Sequence, residues 1–346
     1  MKIAVIGPTL NTYYGIEEIA RNNDIKALFT LPQELGIKKA RYTSFEDQAN
    51  KYGFEIFYDE NNLKDDKVIK RFKDLNLDLI VELGSSKMIP RVIIESARYG
   101  CIGSHGGKLP YIKGGASMNW ALINGEKEWG VSIYYLNSNI DDGILIKTEE
   151  FIIEDYDDIN TIHDKSDLAT ANMLGYFLEN FKLKNEIPKN NKLETIKIRP
   201  SKIDFDWDDI IKWNREVKDS YKDFKNFSNK AIFMPHRKPQ DGFIDLNSSN
   251  KEIYDFIRAQ IKPFPGAFTL YKNKKVLIFN SNIENSNNND AQNGQIINLD
   301  KNGIFVNTKT GSLLIKRIQM ENMPEMWGSE FSNYYNLKMG DLFVKF

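Results

Sequence analysis

The stretch LDLIVELGSSKMIPRVIIESARYGCIGSHGG, residues 77–107, alternates between two kinds of secondary structure. Residues 77–84 form an apolar run that ends at a glycine, as is typical of a buried strand. Residues 90–100 begin with proline and end with glycine, which favours a helix between them. Residues 101–105 predict a second strand that leads into a glycine loop. A strand, a helix and a second strand in this order predict a parallel sheet.

The alternation continues on both sides of this stretch. Strands are predicted at 2–6, 24–31, 129–137 and 143–153, and helices at 16–22, 45–53, 66–76, 117–126 and 159–181. We therefore expect an α/β fold with helices on both faces of a mostly parallel sheet. Ligands of such sheets bind at the carboxyl ends of the strands, and Gly7, Gly84 and His105 all lie at predicted strand ends.

The pattern changes in the last third of the chain. Strand candidates separated by polar turns recur at 274–283, 294–300, 303–309 and 312–319, which predicts a small antiparallel β domain, an OB-like barrel. Residues 284–294 are rich in asparagine and are expected to form a mobile loop. We therefore divide the chain into a catalytic domain (1–190), a linker or insertion with a helix at 207–219 (191–235) and a C-terminal β domain (236–346).

Composition limits the class of protein. The 346 residues include 47 basic and 48 acidic residues, so the net charge does not call for nucleic acid or an anionic membrane as a partner. The single cysteine, Cys101, allows no intrachain disulfide and fits a reducing compartment. The apolar run at the start is too short for a signal peptide, and no run of about 18 apolar residues predicts a membrane helix. We expect a cytoplasmic protein.

Chemistry concentrates around the glycine loop at 100–115. His105 follows one strand, and Asp141 and Asp142 lie in the turn between two others. A histidine with a carboxylate is the minimum set for moving a proton at an attacked carbonyl group. The alternatives are a solvated histidine and two ordinary turn-forming aspartates. The loop matches neither a dinucleotide fingerprint nor a Walker loop, and no CxxC or histidine pair indicates a zinc site.

Residues 78–151 resemble the folate-dependent formyltransferases. This family includes methionyl-tRNA formyltransferase, glycinamide ribonucleotide formyltransferase and the sugar N-formyltransferases, and its pattern begins with Asn-x-His. The matching features here are His105, Leu109-Pro110, Lys113-Gly114, WALING (120–125), GVSI (130–133) and DDGILI (141–146). Residues 235–269 separately resemble the start of the family's C-terminal domain. The resemblance implies a formyltransferase-type, Rossmann-like sheet and 10-formyltetrahydrofolate as co-substrate.

The resemblance also implies roles for particular residues. His105 matches the histidine that stabilises the oxyanion, Asp141 matches the aspartate that orients it, and Ser104 is included with them as a catalytic candidate. The implied cofactor-binding residues are Gly84, Ser85, Ser86, Met88, Ile89, Pro90, Ile140 and Asp142. The candidate substrate-binding residues are Asn11, Tyr13, Lys113 and Asn119.

The sequence departs from the family at Gly103, which stands where the family has asparagine. Ser104 is adjacent, but neighbours on a strand point to opposite faces. A backbone N–H, a water molecule, Asn119 or Asn137 are the alternative donors for the formyl oxygen. Lys113 keeps the charge of the usual arginine but not its forked geometry.

A nucleotide-linked amino sugar is the acceptor that the sequence favours. Residues 241–346 contain 12 basic and 11 acidic residues, a net charge of +1, whereas a tRNA-binding domain should be basic. The alternatives are formylation of methionyl-tRNA or another amine such as a hydroxylated ornithine, a folate- or sugar-binding protein without catalysis, and a scaffold that forms a homodimer through the β domain.

Overall fold

The computed structural model describes residues 1–61, 63–85, 87–181, 193–198, 206–286 and 290–343. Its strands are β1 (Lys2–Ile6), β2 (Asp24–Thr30), β3 (Glu55–Tyr58), β4 (Leu79–Glu82), β5 (Cys101–His105), β6 (Ile112–Gly114), β7 (Glu128–Tyr135), β8 (Leu145–Ile152), β9 (Glu194–Lys197), β10 (Lys230–Met234), β11 (Ala267–Tyr271), β12 (Lys274–Glu284), β13 (Ile296–Asp300), β14 (Gly303–Asn307), β15 (Ser312–Met320) and β16 (Met326–Trp327). Its helices are α1 (Leu10–Ile19), α2 (Gln33–Gly36), α3 (Glu46–Tyr52), α4 (Asp66–Asp74), α5 (Arg91–Ile94), α6 (Ser117–Ile123), α7 (Ile159–Glu179), α8 (Trp207–Phe224), α9 (Asn250–Arg258) and α10 (Gly328–Tyr334).

The N-terminal half contains the predicted mostly parallel sheet. Its strand order is β3-β2-β1-β4-β5-β7-β8, in which β1 to β5 run parallel and β7 and β8 are antiparallel to their neighbours. Alternate residues of the parallel strands enter two separate hydrophobic cores: Val81 and Ile102 pack on one face, and Ile80 and Cys101 on the other. The two-sided burial explains why these strands are continuous apolar runs in the sequence. The predicted α/β fold class is confirmed.

Two helices differ most from their predicted bounds. The helix predicted at 16–22 begins earlier, at Leu10, where the hydroxyl of Thr12 accepts from the amide of Thr9. The helix predicted at 90–100 ends at Ile94. Beyond it, the amides of Arg98 and Tyr99 bond to the carbonyls of Leu77 and Asp78, so this backbone joins the loop before β4 instead of continuing the helix.

The segment predicted as a linker or insertion is packed into the fold where the structure describes it. The predicted helix at 207–219 is present in α8, and β10 pairs in parallel with both β6 and β9. Trp213 of α8 packs edge-to-face on Trp120 of α6, with ring centroids 5.8 Å apart. The end of the glycine loop at 100–115, which forms β6, is therefore held by its pairing with β10.

The C-terminal region contains the predicted antiparallel sheet. Its order is β11-β12-β15-β14-β13, with β16 paired to β15. A hydrophobic core fills the space between this sheet, α9 and α10, and includes Ile257 and Phe331. Residues 287–289 of the loop predicted at 284–294 lie outside the described residues.

Buried polar contacts join the two halves. Arg258 of α9 is buried, and its guanidinium donates to the backbone carbonyls of Glu154 and Asp157, which follow β8. The indole N–H of Trp120 donates to the carbonyl of Pro235. In the described part of the chain, no helix is long and apolar enough to cross a membrane.

Candidate active site

The register of β4, β5 and β7 places three residues side by side near the carboxyl ends of β4 and β5. Glu82 of β4 pairs with Gly103 of β5, which pairs with Tyr134 of β7. Neighbours in register point to the same face, and so do residues two apart along a strand. His105 therefore lies on the same face as this row, one step nearer the glycine loop.

His105 is buried, and both of its ring nitrogens face oxygen atoms. Nε2 lies 2.9 Å from the carbonyl oxygen of Ile112, to which it can only donate. Nδ1 lies 3.5 Å from Oδ1 of Asp141. Two acceptors suit an imidazolium that donates from both nitrogens. The pair can thus hold a proton next to a carboxylate.

Asp141 is fixed by its backbone and by both carboxylate oxygens. Its φ of 50° lies in the left-handed region, where aspartate is one of the better tolerated residues. Oδ2 accepts from the amide of Gly114 at 2.8 Å, and Oδ1 accepts from the hydroxyl of Tyr134 at 3.1 Å. Burial, followed by the charge of Asp141, raises the pKa of Tyr134 well above its usual value, so the phenol stays a donor. The carboxylate is held towards His105.

The predicted substrate residue Lys113 and the predicted cofactor residue Asp142 form an ion pair. The ammonium of Lys113 donates to Oδ1 of Asp142 at 2.6 Å and is buried. Their ion pair links the turn that contains Asp141 to β6. In this conformation the charge of Lys113 is directed at Asp142.

Ser104 and Asn11 meet on the opposite face of the sheet from His105. The amide of Asn11 donates to the hydroxyl of Ser104 at 3.0 Å. Ser104 is in register with Ile133, which packs against α7. Tyr13, also on α1, is half-buried beside Tyr14. The structure therefore separates the catalytic candidate Ser104 from His105.

The two asparagines considered as replacements for the family asparagine bond elsewhere. The buried amide of Asn119 donates to the carbonyl of Ala259 at 2.7 Å and so joins α6 to the region after α9. The amide of Asn137 donates to the carbonyl of Asp142 at 2.9 Å. Both amides bond to backbone carbonyls in this structure.

The predicted cofactor loop follows β4 directly. Gly84 has a φ of 76°, and a Cβ there would lie 2.2 Å from Oγ1 of Thr9, so the turn requires glycine. Met88 is 54% exposed, and Ile140, in the turn before Asp141, is 48% exposed, whereas Ile89 is buried. Exposed apolar side chains beside polar backbone groups suit a flat heterocycle such as a pterin. Pro90 precedes α5, and Ser86 lies outside the described residues.

Sequence reasoning missed Glu82. It is 6% exposed, and its Oε1 accepts from the amide of Ser85 at 2.6 Å. Burial, with a smaller contribution from the charge of Asp141, raises the pKa of Glu82 to about 8, against the lowering effect of the Ser85 bond. The available signal was one acidic residue inside the apolar run LIVEL, residues 79–83.

A cavity of about 590 Å³ lies elsewhere, between α8 and the C-terminal region. Two ion pairs line it, Arg215 with Asp245 and Lys218 with Glu252, the latter at 2.8 Å. Neither His105 nor Asp141 lines it. Volume alone does not indicate chemistry, so the His105–Asp141 cluster is the stronger candidate for the active site.

The molecule combines a Rossmann-like half, which carries the His105–Asp141 cluster, with a C-terminal β domain. Residues 1–175 match the family Formyl transferase, and residues 237–336 match the Formyl transferase C-terminal domain. The chain therefore belongs to the formyltransferase family, whose enzymes transfer one-carbon groups and use 10-formyltetrahydrofolate.

Known proteins resemble the chain over most of its length. Methionyl-tRNA formyltransferase of Fusobacterium nucleatum is 30% identical over 345 residues, which are 99% of each chain. HypX from Aquifex aeolicus, solved with tetrahydrofolic acid, superposes with a TM-score of 0.62 at 14% identity, and all of this chain spans 51% of that one. An N-formyltransferase from Helicobacter canadensis, solved with folinic acid and dTDP-3-aminofucose, has a TM-score of 0.55 at 14% identity and covers 92% of this chain and 99% of its own. At these identities the structural likeness shows the fold.

Proposed function

We propose that the protein transfers the formyl group of 10-formyltetrahydrofolate to the amino group of methionyl-tRNA. The observation that carries formyl transfer is the His105–Asp141 pair, 3.5 Å apart at the carboxyl end of β5. The acceptor rests on similarity to a methionyl-tRNA formyltransferase over 99% of both chains. This choice replaces the amino sugar favoured by sequence reasoning, because the amino-sugar enzyme shares the fold at only 14% identity.

The proposed chemistry needs one proton to move. The acceptor nitrogen attacks the formyl carbon, a new C–N bond forms, and the bond from that carbon to N10 of the folate breaks. The attacking nitrogen loses a proton and N10 gains one, so the reaction is balanced without an oxidant or reductant. The His105–Asp141 pair holds this proton after it leaves the acceptor nitrogen and before it reaches N10. Gly114 and Tyr134 keep the carboxylate of Asp141 in place.

The co-substrate supplies an activated formyl group when bound. The loop at 84–90 and the turn at 137–142 would hold its pterin, through Gly84, Ser85, Met88, Ile89, Pro90 and Ile140. The left-handed turn at Gly84 and the exposed apolar side chains of Met88 and Ile140 support this assignment. Asp142 shapes the same turn through its ion pair with Lys113.

A nucleotide-linked amino sugar is the second candidate acceptor. The net charge of +1 over residues 241–346 favours it, because binding to tRNA depends strongly on neutralising phosphates. The two candidates differ in a measurable way: affinity for a tRNA falls steeply with salt concentration, whereas affinity for a sugar nucleotide depends on it weakly.

The test supplies the purified protein with 10-formyltetrahydrofolate and one acceptor at a time. Initiator methionyl-tRNA and a panel of nucleotide-linked amino sugars are compared, with uncharged tRNA as the matched control. Formylated methionine on the tRNA, at a rate that falls with salt, supports the main proposal. Formylation confined to a sugar transfers the assignment to the second candidate. No formylation of any acceptor contradicts both.

A further inference from the structure

Glu82 is a buried acid that the proposed mechanism does not use. It lies at the carboxyl end of β4, in register with Gly103, and on the face of the sheet that carries His105. Its strand is otherwise apolar. An acid placed among buried side chains at the carboxyl end of a strand is costly unless it is paired or neutral.

The Glu82 carboxyl fills the space that Gly103 leaves. A Cβ built on Gly103 would lie 2.8 Å from Oε2 of Glu82 and 2.5 Å from Cδ1 of Leu136. Oε1 is bonded to the Ser85 amide, whereas Oε2 accepts no hydrogen bond from any described residue. The family pattern puts an asparagine side chain at position 103, so a carboxyl oxygen of Glu82 stands where that side chain would begin.

The surroundings favour the neutral acid. The titratable groups that face Glu82 are Asp141, Tyr134 and Cys101, with His105 beyond Asp141. None of the three neighbours is a cation, and the Asp141 carboxylate repels a second negative charge. Burial is the largest cause of the raised pKa of Glu82, about 8, so the acid is mostly protonated at neutral pH. A protonated carboxyl has an O–H to donate.

A donor of this kind is needed at the formyl oxygen, where negative charge develops during attack. His105 directs one nitrogen at Ile112 and the other at Asp141. We propose that Glu82 is a further catalytic residue, and that its protonated carboxyl donates a hydrogen bond from Oε2 to the formyl oxygen of the co-substrate. This inference rests on the formyl transfer proposed for the His105–Asp141 site.

The first experiment exchanges the two side chains. Glu82→Val removes the donor while keeping an apolar strand, and should lower kcat about 10²-fold, the typical loss for one oxyanion donor. Gly103→Asn alone should also be impaired, because its Cβ meets Oε2. The double variant Glu82→Val/Gly103→Asn should recover most of the kcat lost in Glu82→Val. A Glu82→Val enzyme with wild-type kcat overturns the proposal.

The matched control is Asp59→Asn. Asp59 is also a buried acid just beyond a strand of the same sheet, and its Oδ2 accepts from the amide of Leu63 at 2.7 Å. It follows the edge strand β3, which β2 and β1 separate from β4, so it has no part in the row of Glu82 and Gly103. It should keep wild-type kcat, which separates loss of a donor from loss of any buried carboxyl.

The pH profile separates a catalytic from a structural role. The proposed donor is present below the pKa of Glu82 and lost above it, so wild-type kcat should fall as the pH rises through about 8. Glu82→Gln keeps an N–H donor that does not titrate, and its kcat should lack this fall. A fall of equal size in both proteins contradicts the proposal. Asp59→Asn should retain it.

Infrared spectroscopy gives a readout that does not need turnover. The probe is 10-formyltetrahydrofolate with ¹³C in the formyl group, bound to each protein without an acceptor. A hydrogen bond lowers the formyl C=O stretching frequency, so the band should lie lower in wild type and Glu82→Gln than in Glu82→Val. Equal frequencies overturn the Glu82 inference even if transfer is observed. A lower frequency without transfer to any acceptor supports Glu82 and counts against the proposed function.

Discussion

The left-handed backbone of Asp141 permits a clean test of its charge. Asparagine also tolerates a φ near 50°, so Asp141→Asn should fold and can keep an oxygen acceptor for the amide of Gly114. It removes the negative charge that faces Nδ1 of His105. We expect kcat to fall about 10²–10⁴-fold, the usual range for a lost acid–base function. Formyl transfer kinetics and a thermal melt on the same preparation measure both effects.

Tyr134→Phe is the graded companion to this variant. It removes one donor to Asp141 but leaves the carboxylate and His105 in place. Its kcat should therefore lie between those of wild type and Asp141→Asn. If Asp141→Asn retains wild-type kcat with an unchanged melting temperature, the His105–Asp141 pair is not the proton-handling group.

The sequence identifies His105 and Asp141 as candidates because both belong to patterns with fixed spacing. Their geometry could not be predicted from the sequence. The distance of 3.5 Å between Nδ1 of His105 and Oδ1 of Asp141 depends on hydrogen bonds from Gly114 and Tyr134, which lie on two different strands. Adjacency along the chain does not bring Ser104 to His105, because strand alternation puts the two side chains on opposite faces. Glu82 has no such signal, because one acid in the apolar strand LIVE gives neither a period nor a motif.

The short strand β6 shows how one glycine can support both the fold and the site. Gly114 has a φ of 94°, and a Cβ there would lie 2.2 Å from the carbonyl oxygen of Met234 in β10. Gly114→Ala should therefore cost both left-handed strain and an overpacking penalty, the latter about 1–3 kcal/mol. Because the Gly114 amide holds Asp141, kcat should fall as well. Urea denaturation gives the loss in unfolding free energy.

Gly53→Ala is the matched control for this element. Gly53 ends α3 with a φ of 75°, and a Cβ there would meet no atom within 4 Å. It should cost only the left-handed strain, about 1–2 kcal/mol, with kcat unchanged. Equal losses of stability in the two variants would show that the β6–β10 contact tolerates a methyl group.

Elements with a clear local pattern follow from the sequence more closely than elements whose ends are set by distant contacts. The strands β4 and β5 and the long helix α7 lie within the predicted ranges, because apolar runs or periodicity and flanking glycines mark them in the sequence. The four-residue helix α5 was overestimated, since the residues after it bond to a loop earlier in the sequence. The pairing of β10 with β6 was not predictable from either strand, because each is too short to carry register information.

The interface between the N-terminal half and the C-terminal region depends on pairs of residues that no local sequence pattern encodes. His163 of α7 stacks on Phe264, which follows α9, with ring centroids 5.6 Å apart and an interplanar angle of 21°. The amide of Asn160 donates to the carbonyl of Lys262 nearby. The sequence indicated two folded regions, but their relative placement rests on contacts between residues about a hundred positions apart.

The His163 contact makes stability depend on pH. Burial, and then the charge of Arg41, lowers the pKa of His163 to about 3, whereas its ordinary value is 6.5. Between these values the unfolded chain binds the proton and the folded chain does not, so stability should be lost as the pH falls below about 6.5. Each pH unit contributes at most about 1.4 kcal/mol. Asp167, whose pKa is raised to about 6 mainly by burial, acts in the opposite direction.

Comparison with His163→Phe isolates the histidine from Asp167. Phenylalanine keeps a ring against Phe264 but does not titrate, while Asp167 remains in both proteins. Urea denaturation at pH 7 and pH 5 should show a larger loss of unfolding free energy for wild type than for the variant. Because His163 and Phe264 lie on different halves, the acid-induced loss should weaken the coupling between them, and wild type should unfold over a broader transition at pH 5. An equal loss in both proteins would mean that protonation of His163 does not oppose folding, and that the interface is held by the backbone contacts of Asn160 and Arg258.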